Sequence, residues 1–183
     1  LCEILRFLGF DADKCDLADH YLPRSERWWG ADPDLVYMGD PHREDDSPFC
    51  GFYCFAGPVV DAAEKYLQDQ NASLYWTPHD LTGAEEDDLI SQLRNGRPFL
   101  FWASLRFDNI QFDPRGSFLL PGRYEHRLFR QLHCMVCCGV DEECVTVAVP
   151  LDLNRRVPRE KFMKVYRQLG RRAVVLAPFG EAV

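Results

Sequence analysis

Apolar residues recur at helical spacing at Leu1, Ile4, Leu5 and Leu8, with Gly9 as a stop, so the spacing predicts a short amphipathic helix over 1–8. A second short helix is expected over 16–21, ending before Pro23. Residues 24–57 carry little periodicity and are rich in Gly, Pro and acids. They also hold Trp28, Trp29, Tyr37, Phe49, Phe52 and Tyr53, too many aromatic rings to leave in water, so an ordered, loop-like excursion is expected. Pro58 is expected to open a helix with Val59, Val60, Ala63 and Leu67 on one face. Thr82 and Glu85 have the T-x-x-E spacing of a capping box, in which each side chain satisfies the other's backbone N–H, and the helix they introduce should end at Asn95-Gly96.

The second half reads as sheet. The apolar run 98–105 has the length of a buried strand. Residues 106–131 read as a second long loop. The continuous apolar run 132–140, a turn at Asp141-Glu142-Glu143 and a run over 144–149 predict a hairpin. Pro158 then opens a helix with Phe162, Val165, Tyr166 and Leu169 on one face, closed by Gly170, and 173–176 is a last strand. Helices come first, followed by a mostly antiparallel sheet with one late helix. That order is α+β, not a βαβ repeat.

Composition narrows the function classes. The 183 residues are 46% hydrophobic and 27% charged, which suits one globular domain over 1–183 with its own core. The longest apolar runs fall far short of the ~20 residues that span a bilayer. A net charge of -8, with arginines such as Arg123, Arg127 and Arg130 scattered, argues against a nucleic-acid partner. Composition carries no signal for localisation or oligomeric state.

Eight cysteines, Cys2, Cys15, Cys50, Cys54, Cys134, Cys137, Cys138 and Cys144, raise disulfides and zinc as alternatives. The C-x2-C pair Cys134 and Cys137 lies inside an expected strand, where neighbours alternate faces, so the two thiols point to opposite sides and share no metal. Cys134 and Cys138 share a face but lie ~13 Å apart, too far for a disulfide. Buried free thiols acting as small apolar side chains are the expectation, with neither metal nor cofactor implied.

His133 is the candidate base: an imidazole at the start of a buried strand has the ordinary pKa that a thiol or hydroxyl nucleophile needs in its partner. The competing reading is a satisfied histidine of the sheet. His20, His42, His79 and His126 stand in polar or loop contexts and read as surface residues without partners. H-E-x-x-H and G-x-S-x-G patterns are absent, and the adjacent acids at Asp45-Asp46, Glu85-Glu86 and Glu142-Glu143 read as solvated faces.

The segments DPDLVYMGD (32–40), GFYCFAGPVVDAAEKYL (51–67), DLTGAEEDDLISQLRNGRPFLFWASL (80–105), HCMVCCGVD (133–141) and FMKVYRQLGRRAVVL (162–176) resemble, in order and spacing, the bacterial C39-like cysteine peptidases. The resemblance spans nearly the whole chain. It implies a papain-like fold, a peptide or protein substrate, and a Cys–His pair whose imidazole is oriented by Asp or Asn. His133 matches the family histidine, in a pattern like H-C-x-x-L-x-G-Y-D where Val140 replaces Tyr. The orienting acid lies in a D-P-L segment in such proteins; here the segment is Val149-Pro150-Leu151, and Asp152 and Asn154 are the nearby substitutes. The nucleophile opens the first helix in a G-C-E segment. Matching Phe7-Leu8-Gly9 to the Y-L-G that follows puts it roughly five residues before Leu1, one helical turn beyond the chain. Cys2-Glu3 reproduces the C-E dipeptide closer to Gly9 and makes Cys2 the alternative nucleophile. The expected function is a cysteine-peptidase domain without its nucleophile segment, hydrolysing peptide bonds with His133 as base. The alternative is an inactive family member that binds peptide or protein.

Overall fold

A computed structural model of the chain describes residues 1–120, 122, 125–148 and 154–183. The expected first helix forms as α1 (Cys2–Phe7). The second is a single turn, α2 (Lys14–Asp16), capped by the Asp13 carboxylate and continued by a π-helical turn over Leu17–Tyr21. The long excursion is ordered, as its aromatic content requires. Isolated bridges join Arg24 to Tyr37 and Asp40 to Cys50. A Cβ on Gly39, whose φ is 82°, would stand 1.9 Å from the Cys50 carbonyl oxygen, so only glycine lets the two limbs of the excursion close.

The helix expected from Pro58 starts two residues earlier, as α3 (Ala56–Asp69). Proline is tolerated in the first turn because those N–H groups have no helical partner, so Pro58 marks the start without being the start. A strand absent from the sequence reading follows, β1 (Trp76–Asp80). Next comes α4 (Glu86–Arg94), whose N-cap is Glu85 and not Thr82. Gly83 adopts φ 96° and puts a turn between Thr82 and the helix. The capping box is made by Glu85 and Asp88, whose carboxylate accepts the Glu85 N–H at 2.9 Å.

β2 (Phe99–Ser104) is buried at every position, as its apolar run predicts. The segment read as a second loop instead holds a two-stranded ribbon, β3 (Gln111–Leu119) and β4 (Glu125–Arg130), with a register shift between Phe112 and Ser117. Pro114, Gly116 and dense charge hide that ribbon from a periodicity argument. The hairpin forms as β5 (Leu132–Val140) and β6 (Cys144–Ala148), followed by β7 (Arg155–Pro158), α5 (Arg159–Gln168) and β8 (Ala173–Pro178).

Six of these strands form one sheet in the order β1-β8-β2-β5-β6-β7, with every neighbouring pair antiparallel. β1 and β7, the two strands of this sheet that were not foreseen, are its edges. An edge strand accepts Pro78 because one side of its backbone has no ladder to donate to, and Arg155 and Arg156 put charge on the other edge. The ordering of helices before an antiparallel sheet is α+β, as expected.

Alternation along β2 and β5 divides the core. Phe101 meets Phe162 of α5 at 4.8 Å between ring centroids, on one face. Val136 and Cys138 lie on the other face beside Ile4 and Phe7 of α1. On that face the Trp102 indole N–H donates to the Cys54 carbonyl at 2.8 Å, which ties the excursion to the sheet at a buried point. Among the described residues no helix is long and apolar enough to cross a membrane.

Removing the Trp102 donor leaves the Cys54 carbonyl without its partner. Trp102→Phe should lower stability by about 1–3 kcal/mol beyond its packing loss, read as a lower urea midpoint with an unchanged slope.

Candidate active site

His133 is the second residue of β5 and pairs with Ala103 of β2, inside the sheet and not at its edge. The ring is half-buried, and burial alone pushes its pKa below the ordinary histidine value. It is therefore a neutral imidazole at pH 7, the form that can take a proton. Among the described residues His133 makes no side-chain hydrogen bond and no ion pair. Asp152, the substitute acid expected from sequence, lies outside the described residues, as does the Val149-Pro150-Leu151 segment.

Cys134 follows His133 and pairs with Trp102, so alternation turns it to the α1 face, while His133 and Ala103 take the other. There Cys134 lines an open, mostly apolar cleft of about 250 Å³ with Leu1, Cys2, Tyr37, Cys54 and Val59. The cleft sits at the N-terminal end of α1. Cys134 is reachable by solvent through the cleft mouth, yet the surrounding walls desolvate a thiolate and push its pKa up to about 11. Burial also pushes the Cys54 thiol up strongly, with Cys134 nearby adding to it.

Cys2 is half-buried on α1, with its Sγ donating to the Ala12 carbonyl at 3.3 Å. Its pKa is raised, first by burial, against the opposing pull of Arg6. Cys2 shares the cleft with Cys134 on the α1 face, whereas the pleat puts His133, one residue earlier, on the other face of β5. Neither a hydrogen bond nor an electrostatic contact joins Cys2 to His133.

The cysteines divide otherwise than expected. Cys134 and Cys137 do fall on opposite faces, as alternation requires, and Cys50, Cys54 and Cys137 are buried. Cys15, on the single turn α2, is exposed; Cys134 and Cys138 are exposed because the α1 face of β5 opens on clefts flanking a helix of only six residues.

The readings of the other four histidines need correction. The His20 Nε2 stands 3.7 Å from the Asp16 carboxylate, and His79 is half-buried in β1. His42 has a partner, since its Nε2 stands 2.9 Å from Asp19. His126 is not on the surface: it is only 6% exposed, packed among Phe55, Phe118 and Phe129. Its Nε2 lies 2.9 Å from the Tyr53 hydroxyl, and the same oxygen accepts the Phe129 N–H at 3.3 Å. The hydroxyl proton is satisfied when it donates to a neutral Nε2, which assigns the proton of His126 to Nδ1. The signal was in the sequence: in EHRLFR, His126 shares a strand face with Leu128, which is fully buried. This pair pins the β3–β4 ribbon to the excursion. Arg115 adds to the pin by lying over the Phe52 and Trp28 rings at 4.5 and 5.1 Å.

The model of the Peptidase_C39 like family matches residues 1–174. YvpB of Bacillus subtilis (strain 168), an uncharacterized protein, is 27% identical over 186 residues; the match covers 96% of this chain, and the chain spans 66% of that relative's length. A crystal structure of a Bacillus anthracis protein described as a C39-like peptidase superposes with a TM-score of 0.80 at 24% identity, covering 96% of this chain and 84% of the other. The shared architecture is the papain-like α+β fold expected from the sequence.

Burial is the leading cause that holds His126 below its ordinary value of 6.5, with Arg172 acting in the same sense against Asp34 and Asp32. The unfolded chain then binds a proton that the folded chain resists, so this contribution is present above about pH 6.5 and is lost as pH falls through the depressed folded value. His126→Gln should flatten the decline of the urea midpoint between pH 7.5 and pH 5. Parallel declines in the two proteins would refute the assignment.

Proposed function

We propose that this chain, which belongs to the Peptidase_C39 like family, hydrolyses peptide bonds by thiol chemistry with His133 as the base. The observation that carries this reading is a neutral, half-buried imidazole one residue before the thiol-lined cleft at the N-terminal end of α1. In the proposed reaction a thiol presented at that end gives its proton to His133 and attacks the substrate carbonyl. His133 returns the proton to the leaving amine, which departs from the acyl-enzyme. Water then attacks the thioester with His133 again taking a proton, and the thiol is restored. Cys2 is the thiol this chain offers closest to that point, and Asp152 is the acid that would orient the imidazole.

A second reading is favoured by specific observations. The Cys2 thiol is raised in pKa and bonded to the Ala12 carbonyl, not to His133. Valine 149 occupies the sequence position where the resemblance expects an acid. A family member with those features would hold a peptide without cleaving it.

Digestion of a fluorescence-quenched peptide library separates the two. Under the first reading, His133→Ala should lower cleavage by ~10²–10⁴-fold and should slow alkylation of the nucleophilic thiol by iodoacetamide at neutral pH. Cleavage unaffected by His133→Ala would remove His133 from the mechanism. Peptide binding without any turnover would establish the second reading.

A further inference from the structure

A cavity of about 190 Å³ lies between α1 and the turn that joins α4 to β2, away from the thiol cleft. Phe7, Leu8, Trp76, Leu176 and Pro178 give it an apolar side, and polar groups, Asn95, Arg97 and Glu181 among the lining, make up about as much of its surface. One cation faces it. Arg97 follows the Asn95-Gly96 turn and is only 8% exposed, which is unusual for a guanidinium without a full set of partners. Its Nη1 donates to the Glu181 carboxylate and to the Ala182 carbonyl, both at 3.3 Å, the long end of the hydrogen-bond range. Its Nε is buried and has no partner among the described residues. Arginine binds a carboxylate best through two parallel N–H donors, and here Glu181 engages only one nitrogen, leaving the Nε donor unused.

Glu181 is a weakly held occupant. Its side chain is 57% exposed, and it sits on the segment after β8, just past Gly180 at φ 81°. Phe7, which lines the cavity, is 65% exposed and offers an apolar ring to an entering ligand. The Arg97 charge also reaches His79, whose pKa is lowered first by burial and then by that guanidinium. The site therefore offers a desolvated cation with an unused donor, a chamber smaller than a drug-sized pocket with one apolar side, and a displaceable carboxylate that keeps the charge balanced in the absence of ligand.

We propose that the Arg97 cavity binds a small monocarboxylate with an apolar body, a single ring or short alkyl chain, and that Glu181 is its intramolecular competitor. The ligand carboxylate takes the Nε and Nη1 donors together, its body fills the chamber beside Trp76, and the Glu181 segment swings into solvent.

Phenylacetate is the probe, titrated calorimetrically into the whole chain, with phenylacetamide as the uncharged control of the same shape. Glu181→Gln should bind phenylacetate more tightly than the parent chain, and phenylacetamide should bind at least roughly tenfold more weakly than phenylacetate, as expected for loss of a charge-assisted hydrogen-bond pair. Arg97→Gln, checked for folding by circular dichroism, should lose phenylacetate binding. If that variant does not fold, the ratio of the two probes on Glu181→Gln decides. His133→Ala should leave phenylacetate affinity unchanged, so this site stands or falls apart from the peptidase reading. Equal affinity for the two probes, or no binding of phenylacetate to Glu181→Gln, would overturn the proposal and leave the open donor to water alone.

Discussion

β2 is buried along its whole length, so its backbone N–H and C=O groups have only neighbouring strands as partners. β5 takes one side and β8 the other. That demand organises the molecule, because the strands that satisfy β2 come from the middle and the end of the second half of the chain. Once β5 and β8 are in place, alternation sends Phe99 and Phe101 toward α5 and Leu100 and Trp102 toward α1. The two faces of the core follow from one pairing. The Trp102 indole then reaches across to the Cys54 carbonyl and fixes where the first half of the chain rests on the second.

The candidate active site inherits its form from the same pairing. His133 and Cys134 are adjacent in sequence, yet the pleat separates them onto different faces. Cys134 looks into the cleft with Cys2 and Cys54, where desolvation holds all three as thiols. His133 is perturbed by burial alone, and that keeps it neutral and receptive to a proton. The chemistry open to this chain therefore depends on what brings a reactive thiol to His133, not on the ring's own charge state. The polar pair at Tyr53 and His126 serves the architecture instead, since it joins the excursion to the ribbon at a place where an unpaired hydroxyl would be costly.

Legibility from the sequence follows burial. β2, the β5–β6 hairpin, α3 and α5 were readable because each presents an uninterrupted apolar run or a clean helical stripe. The two edges of the sheet were not. Edge strands bury little, so β1 could keep Pro78 and β7 could keep two arginines without any apolar signature. The β3–β4 ribbon escaped for a related reason: it is held by its own Arg115 guanidinium lying on rings of the distant excursion, which no local pattern records. The start of α4 was misplaced by three residues because T-x-x-E describes a spacing, whereas the cap depends on the left-handed turn at Gly83.

By itself the sequence determined the fold class, the order of the main elements, the opposite facing of Cys134 and Cys137, and the family, because these rest on periodicity and on the order of motifs along the chain. Tertiary structure alone decided the environments. Whether a thiol is sealed like Cys137 or open like Cys134, and whether an arginine keeps an unused donor like Arg97, depend on residues distant in the chain. Desolvation and hydrogen bonding act through space, and a one-dimensional pattern carries them only where a residue's neighbours are also its contacts.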